Sequence, residues 1–466
     1  MSKAVNAGLW YAVSNVTLRA VSIITAPIFT RLLTTADYGQ VNNFVTWQNI
    51  LGSVVCLCLS YSIGRAKIDF KDDFYGFISS IQGLSLFVGM TLLVITMPFL
   101  GPLARMMEMD KSLLITMFVL LALSPSMDYL QTRYRYEYRY KENIIISIVH
   151  TIGIIGFSLI FILLSELDHR YIARIYGSVV TTVLIAGVCF FVNLRKGRKL
   201  YHKAYWKYAL KYCLPLIPHG LAMIVLAQID RIMIIKMVGA SEAGLYSFGY
   251  SYAIVLSIIT NAVMFAWQPW VYEKISEGKH DDVRRSNKKL NQLGLVATFL
   301  FILITPEVIM LLGSRPFWPA MVMVSPVIAG TLFQLFYQFY SMIEMYCKKT
   351  VYVGIGSMVV AILNVVLNYF FIPRYGYVAA AYTTMVSYLL LMIYHWCVYR
   401  HIFEWRVMCE GQIASYVLLA IAGSILIPMI YHQYLLRFLM VVGLLSVYIL
   451  CNKSEMKIWY LRGKEY

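Results

Sequence analysis

Apolar stretches alternate with short polar gaps along all 466 residues, and each stretch has the length of a bilayer crossing. A helix needs about 20 mostly apolar residues to span the hydrocarbon. Such runs occur at 8–30, 40–63, 75–100, 112–131, 144–164, 171–193, 213–238, 245–270, 291–313, 318–342, 351–372, 377–398, 411–430 and, shorter, 438–451. The pattern therefore predicts an all-α integral membrane protein with about 14 transmembrane helices. Composition agrees, at 60% hydrophobic and 14% charged, which is more apolar than a soluble fold requires.

The polar gaps divide by charge. With the amino terminus placed in the cytoplasm, the gaps on that face hold 29 Lys and Arg, the opposite gaps hold 7, and 4 fall within apolar runs. This bias is the positive-inside rule, and it puts both termini in the cytoplasm. The net charge of +17 follows from basic loops facing anionic headgroups, so nucleic acid is not an expected partner and membrane lipids are. The most basic gap, 195–212, interleaves lysines with Tyr201, Tyr205, Trp206 and Tyr208. It reads as a topogenic loop on the lipid surface or as a short amphipathic helix there.

The first apolar run is too long for a cleavable signal and lacks a small-residue cleavage site, so it is expected to stay as the first span. Eight cysteines lie in or beside spans at spacings that match no disulfide framework or metal site, and no cofactor is expected. His219 follows Pro215 and Pro218, which predicts a kink in the seventh span.

An internal repeat is the next expectation. Arg31, Asp37 and Gly39, closing the first span, recur at one offset of 205 residues as Lys236, Glu242 and Gly244, closing the seventh. That offset also maps span one on span seven and span two on span eight. It predicts an amino-terminal six-helix lobe at 1–194, a basic linker at 195–212, a second six-helix lobe at 213–400, and two added helices with a tail at 401–466. Asp37 and Glu242 stand just before helices, where an acid favours the positive dipole end.

Polar residues inside the spans mark candidate chemistry, because a charge at the centre of a membrane helix costs about 2.5–3.5 kcal/mol. Arg19 shares a helical face with Asn15 and Ser22. The seventh span carries Gln228, Asp230, Arg231 and Lys236. Tyr250, Ser257, Asn261 and Gln268 form one stripe, Gln334, Tyr337, Gln338, Ser341 and Glu344 another, and Asn364 and Asn368 lie one turn apart. A single stripe is accounted for by hydrogen bonds between helices, worth about 0.6 kcal/mol each. Several together predict a polar cavity, cationic at its deep positions and otherwise amide, hydroxyl and tyrosine. Guanidinium suits phosphate, and amides with aromatic faces suit sugars.

The opening run with Arg19, TRLLTTADYGQVNNF at 30–44, QIDRIMI at 228–234, AGLYSFGYSYA at 243–253 and PRYGYVAAAYTTMVSYLL at 373–390 resemble the polysaccharide and O-antigen exporters. These are the Wzx-type flippases of the multidrug, oligosaccharidyl-lipid and polysaccharide flippase superfamily, and the resemblance covers roughly residues 1–400. It implies two six-helix lobes around a central cationic cavity, which would move an undecaprenyl-diphosphate-linked oligosaccharide from the cytoplasmic to the periplasmic leaflet of the bacterial inner membrane by alternating access. The family's cavity arginines carry onto Arg19, Arg31 and Arg231. Lys236, Asn15, Gln228, Asn261, Gln334, Gln338 and Asn364 complete the expected substrate-binding set. Proton or sodium coupling is open, and a polysaccharide polymerase and a chain-length regulator are the expected protein partners.

Two relatives with other cargo compete. Peptidoglycan-precursor flippases share the count of fourteen spans, but they place more arginines in the early spans. Cation-coupled drug exporters often carry an acid in the first span, where this chain has Arg19. An enzyme is disfavoured, because no large polar loop offers paired carboxylates and the eight histidines are scattered.

Overall fold

The computed structural model describes residues 25–137, 139–214 and 217–451. Asn15, Arg19 and Pro215, and the side chains of Pro218 and His219, lie outside the described residues. Every regular element among the described residues is a helix. Among the described residues ten helices are long and apolar enough to cross a membrane, and the pair His280–Leu303 and Thr305–Leu312, bent by 55° at Ile304, makes eleven if it is one span. Each matches an expected run. The seventh run forms Ile217–Met237, the fourteenth the shorter Tyr434–Cys451, and the first is described only over residues 25–32.

Two compact units emerge, the first comprising Met1–Ser247, Leu312–Pro316 and Ala361–Tyr377. Its helices are α1 (25–32), α2 (Thr35–Val55), α3 (Ser60–Asp69), α4 (Phe74–Thr96), α5 (Leu100–Met106), α6 (Lys111–Leu123), α7 (Pro125–Tyr136), α8 (Tyr140–Leu164), α9 (Arg170–Gly197), α10 (Lys203–Cys213) and α11 (Ile217–Met237). The second comprises Phe248–Leu311, Phe317–Val360 and Val378–Tyr466. It holds most of α12 (Ala240–Ser276), then α13 (His280–Leu303), α14 (Thr305–Leu312), α15 (Met321–Tyr346), the start of α16 (Thr350–Tyr375), α17 (Tyr377–Ile402), α18 (Glu410–Met429) and α19 (Tyr434–Cys451).

Lipid inverts the usual helix pattern. On α8, Ile145, Val149, Ile152, Leu163 and Leu164 face outward, while Asn143, Ser158 and Ile162 are buried. Apolar side chains gain nothing by turning from hydrocarbon to protein, so small residues that permit close backbone approach make the contacts. A Cβ added to Gly177 of α9 would stand 2.5 Å from both N and Cα of Ser158 on α8. Apolar cores form where several helices meet. Leu113, Leu114, Met117 and Leu121 of α6 anchor one in the first unit, and Phe333, Phe336 and Phe339 of α15 anchor another in the second.

Among the described residues, several spans are broken where hydropathy showed continuity. The second breaks between α2 and α3, where Leu57 and Cys58 take left-handed φ values of 51° and 50°. The fourth breaks before Pro125, which lacks the N–H that the helix ladder needs. The ninth breaks at Ile304. Such breaks survive in a membrane only where protein groups satisfy the freed backbone. At the first, Leu57 N donates to Val54 O and Leu59 N to Cys56 O.

The basic linker contains α10, docked on the first unit. Tyr205 Oη donates to Asp73 at 2.6 Å, Tyr208 Oη to Asp69 at 2.7 Å, and Trp206 Nε1 to Ser80 O at 2.9 Å, with Lys199 paired to Asp73. Lys203, Lys207 and Lys211 stay exposed. In the second unit, Arg437 at the start of α19 makes a two-pronged pair with Glu307 of α14, both contacts 2.7 Å, and donates to Leu303 O. The fourteenth span is thereby tied to the ninth.

Gly177→Ile should destabilise the α8–α9 packing by about 1–3 kcal/mol, the usual cost of overfilling a packed site. A lowered unfolding temperature in detergent measures it, and an unchanged one contradicts the contact. Burial, then the bonds to Asp73 and Asp69, push the phenols of Tyr205 and Tyr208 from the ordinary 10.0 up to about 12. Both groups therefore favour docking below pH 10 and lose that contribution as pH rises towards 12. Trp206 fluorescence should report a transition in that window that the Tyr205→Phe, Tyr208→Phe double variant lacks.

Candidate functional site

The repeat noticed in the sequence becomes a contact in the first unit. Thr34 caps α2: its Oγ1 accepts from Asp37 N at 3.1 Å, and Asp37 Oδ2 accepts from Thr34 N at 3.0 Å. Asp37 thus closes a capping box from inside the first turn of α2, and Glu242 likewise lies within the first turn of α12, so, unlike the expectation, neither stands before its helix. The first turns of α2 and α12 then cross at their glycines. A Cβ on Gly39 would overlap Ala240 O and reach Gly244 N at 3.0 Å, and a Cβ on Gly244 would overlap Thr35 O and reach Gly39 N at 3.0 Å. The crossing is symmetric, since Ala240 stands to Thr35 as Gly244 stands to Gly39. Thr35 Oγ1 and Ser241 Oγ join it at 2.8 Å. Nearby, Ser314 Oγ donates to Thr30 O at 2.6 Å, and Thr30 Oγ1 to Leu312 O at 3.0 Å.

The cationic candidates scatter around this closure. Arg31 and Lys236 are exposed, and Gln228 and Arg231 are half-buried on α11. Arg231 donates to Ala227 O at 3.2 Å. Asp230, its neighbour, turns to the other side of the helix and is buried, accepting from Tyr246 Oη and from Asn368 Nδ2, both at 2.6 Å. Asn368 in turn donates to Asn364 Oδ1 at 3.2 Å. Asn364 is fully buried in this network, not set on an accessible wall. Arg19 and Asn15 lie outside the described residues.

In the second unit the two polar stripes meet as a ladder between α12 and α15. Gln338 Nε2 donates to Asn261 Oδ1 at 2.9 Å, Asn261 Nδ2 to Ser257 Oγ at 3.3 Å, and Ser257 Oγ to Gln334 Oε1 at 3.3 Å. Asn261, Gln334, Tyr337 and Gln338 are half-buried, whereas Ser341 and Glu344 further along α15 are buried. Amides that pair with one another can exchange those bonds for sugar hydroxyls at little net cost, because a hydrogen bond contributes only about 0.5–1.5 kcal/mol net.

Sequence reasoning passed over two arginines. Arg174 of α9 is one of four cations inside apolar runs, so the signal was present. Its guanidinium lies 3.4 Å over the Phe29 ring, and Nη1 has no hydrogen-bond partner among the described residues. Arg133 read as a loop cation but is 1% exposed, giving one bond to Asn193 Oδ1 at 3.0 Å and lying over the rings of Tyr75 and Tyr134 at 5.4 and 5.0 Å.

Membrane-crossing helices, a repeat closed on itself and half-buried polar walls define a multi-pass helical membrane protein. The chain belongs to the polysaccharide biosynthesis protein family, which its residues 5–274 match. In Haemophilus influenzae it is similar to an uncharacterized membrane protein, 29% identical over 141 residues, and to "Lsg locus putative protein 1", 35% identical over 104. Those matches span 34% and 24% of the relatives' own lengths. The fold is shared with "Lipid II flippase MurJ, inward closed conformation", at TM-score 0.70 and 14% identity over 96% of this chain and 99% of that one. It is also shared with an inward-facing multidrug resistance MATE family transporter of the MOP superfamily, at TM-score 0.59 and 14% identity over 86% and 95%.

A Thr35→Cys, Ser241→Cys pair, placed where the hydroxyls are 2.8 Å apart, should form a disulfide under mild oxidant. The cross-linked band should be lost on reduction. Absence of cross-linking in the folded protein would contradict this closure.

Proposed function

We propose that this protein is a flippase that moves an undecaprenyl-diphosphate-linked oligosaccharide, an O-antigen or capsule repeat unit, from the cytoplasmic to the periplasmic leaflet of the bacterial inner membrane. The lobes at 1–194 and 213–400 would alternate access around a shared cavity. The charge asymmetry supports cytoplasmic termini, and it makes the Gly39–Gly244 crossing the periplasmic closure.

What supports the reading is the set of polar groups within the spans. Asp230 is occupied by Tyr246 and Asn368, while Nη1 of Arg174, one turn into α9, has no acceptor among the described residues, and the second unit offers a ladder of neutral amides. That chemistry fits phosphate plus sugar. Family membership supports a polysaccharide cargo. A diphosphate moving outward gains up to about 2.3 kcal/mol per charge per 100 mV across an inside-negative membrane. The fold shared with a lipid II flippase over nearly the whole chain favours a second reading, in which the cargo is a peptidoglycan precursor. A polysaccharide polymerase and a chain-length regulator are the partners this function implies.

Deleting the gene should accumulate a diphosphate-linked repeat on the cytoplasmic leaflet, and the accumulated glycolipid separates the two cargoes. Complementation by Arg19→Ala or Arg174→Ala should restore less than about a tenth of surface glycan, with Arg→Lys intermediate. Unaltered glycan together with altered dye efflux would select a drug exporter instead.

A further inference from the structure

The starts of α13 and α18 meet beside a cavity of about 400 Å³, lined by Asp281, Arg284, Arg285, Lys288, Cys409 and Gln412. All six residues belong to the second unit. Hydrogen bonds join the two walls: Cys409 N donates to Asn287 Oδ1 at 2.9 Å, Asn291 Nδ2 to Gln412 Oε1 at 3.1 Å, and Cys409 Sγ to Arg284 O at 3.4 Å. Asn287 is fully buried, and its Nδ2 has no hydrogen-bond partner among the described residues.

Charge on the cavity wall is unbalanced. Three cations stand against one acid, which leaves two positive charges. Arg284 and Lys288 lie one turn apart, where like charges repel, and neither side chain has a partner among the described residues. The nearby acids are engaged elsewhere. Glu410 of α18 pairs with Arg400 at 3.3 Å, Asp282 lies 4.0 Å from Arg285, and Asp281 stands in the first turn of α13, where the helix dipole favours an acid. The start of α18 leaves the amides of Gly411 and Gln412 without an acceptor in the helix, and Cys409 supplies no side-chain cap. An anion would satisfy both the cations and the amides. Phosphate suits them, since a guanidinium holds two of its oxygens at once and a helix start binds it through N–H groups.

The surroundings favour a lipid over a free ion. At about 30 Å³ for each water in the liquid, the cavity has room for about a dozen, enough for a headgroup. Trp405 is exposed beside it, with its ring 4.5 Å from that of His280, and tryptophan settles at the headgroup level of a bilayer. Leu419 and Leu426 follow Gln412 at intervals of two turns along one face of α18, and both are exposed. The gaps 271–290 and 399–410, which supply the cavity, both fall on the side that the charge bias assigns to the cytoplasm.

We propose that this cavity binds the phosphate of a net-anionic phospholipid of the cytoplasmic leaflet, whose acyl chains run along Leu419 and Leu426. Arg284 and Lys288 hold the phosphate oxygens, Arg285 and the start of α18 complete the seat, and the lipid bridges α13 to α18. The site is separate from the amide ladder of α12 and α15 and requires no cargo.

Cys409, on the wall, reports occupancy. Full-length protein, stripped of lipid in an uncharged detergent, is reacted with N-ethylmaleimide in the presence of dioleoylphosphatidylglycerol, dioleoylphosphatidylcholine or inorganic phosphate, and modification of Cys409 is read from its peptide mass. Phosphatidylglycerol raised to several times its Kd should slow the reaction about fivefold or more relative to phosphatidylcholine, as one-site occupancy requires, and inorganic phosphate should leave it unchanged. In Arg284→Gln, Lys288→Gln that ratio should fall below about twofold. Lys203→Gln, Lys207→Gln, which removes two exposed cations of α10, should retain it. If the first double variant fails to fold, Lys288→Gln alone is compared, with the ratio expected to fall to about half or less. Equal rates in the two lipids, or undiminished protection in the folded Arg284 and Lys288 variants, would overturn the proposal. Protection by inorganic phosphate as strong as that by phosphatidylglycerol would overturn the lipid assignment and leave a site for a soluble anion.

Discussion

Hydrocarbon supplies no hydrogen bonds, so peptide groups and polar side chains within the bilayer are driven towards partners in the protein. Helices meet the backbone demand, which is why the described residues contain no other regular element. Side chains then sort by the same rule. Aliphatic groups face out, as on α8, and polar groups are drawn inward to one another: Asp230 to Tyr246 and Asn368, Asn193 to Arg133, and Gln338 to Asn261. Interior polarity in this protein follows from the solvent it displaces.

The same constraint decides what holds two helices together in a membrane. Apolar burial gives no preference for contact with protein over contact with lipid, so two helices hold together through backbone proximity and a few hydrogen bonds. At Gly39 and Gly244 the absence of side chains lets α2 and α12 touch, and Thr35 with Ser241 adds one bond. A contact of that kind is specific in geometry and modest in energy. Repetition of the motif supplies the complementarity, because each half presents the glycine that the other needs.

Much was legible in the residues alone. The span positions, the charge bias of the loops and the repeat needed only local hydropathy, charge and spacing, and a bilayer reads those properties one segment at a time. The capping role of Asp37 was legible for the same reason, because capping is decided within one turn. Arg174 was legible and was passed over. The docking of α10 was half visible: the alternation of lysines and aromatics foretold a two-faced segment, but the carboxylates of Asp69 and Asp73 that receive it are far away in the chain.

Chain order by itself thus determined that this is a membrane protein of many helices, which gaps are basic, and which polar residues share a helical face. Tertiary structure decided what those faces meet. It buried Asn364 beside Asp230 and left Gln334 half-open, joined Glu344 to His395 across 51 residues, and broke the second span at Leu57 and Cys58. Hydropathy is a property of a segment and its solvent, whereas burial and pairing belong to two segments at once. No one-dimensional pattern contains the second until the packing exists.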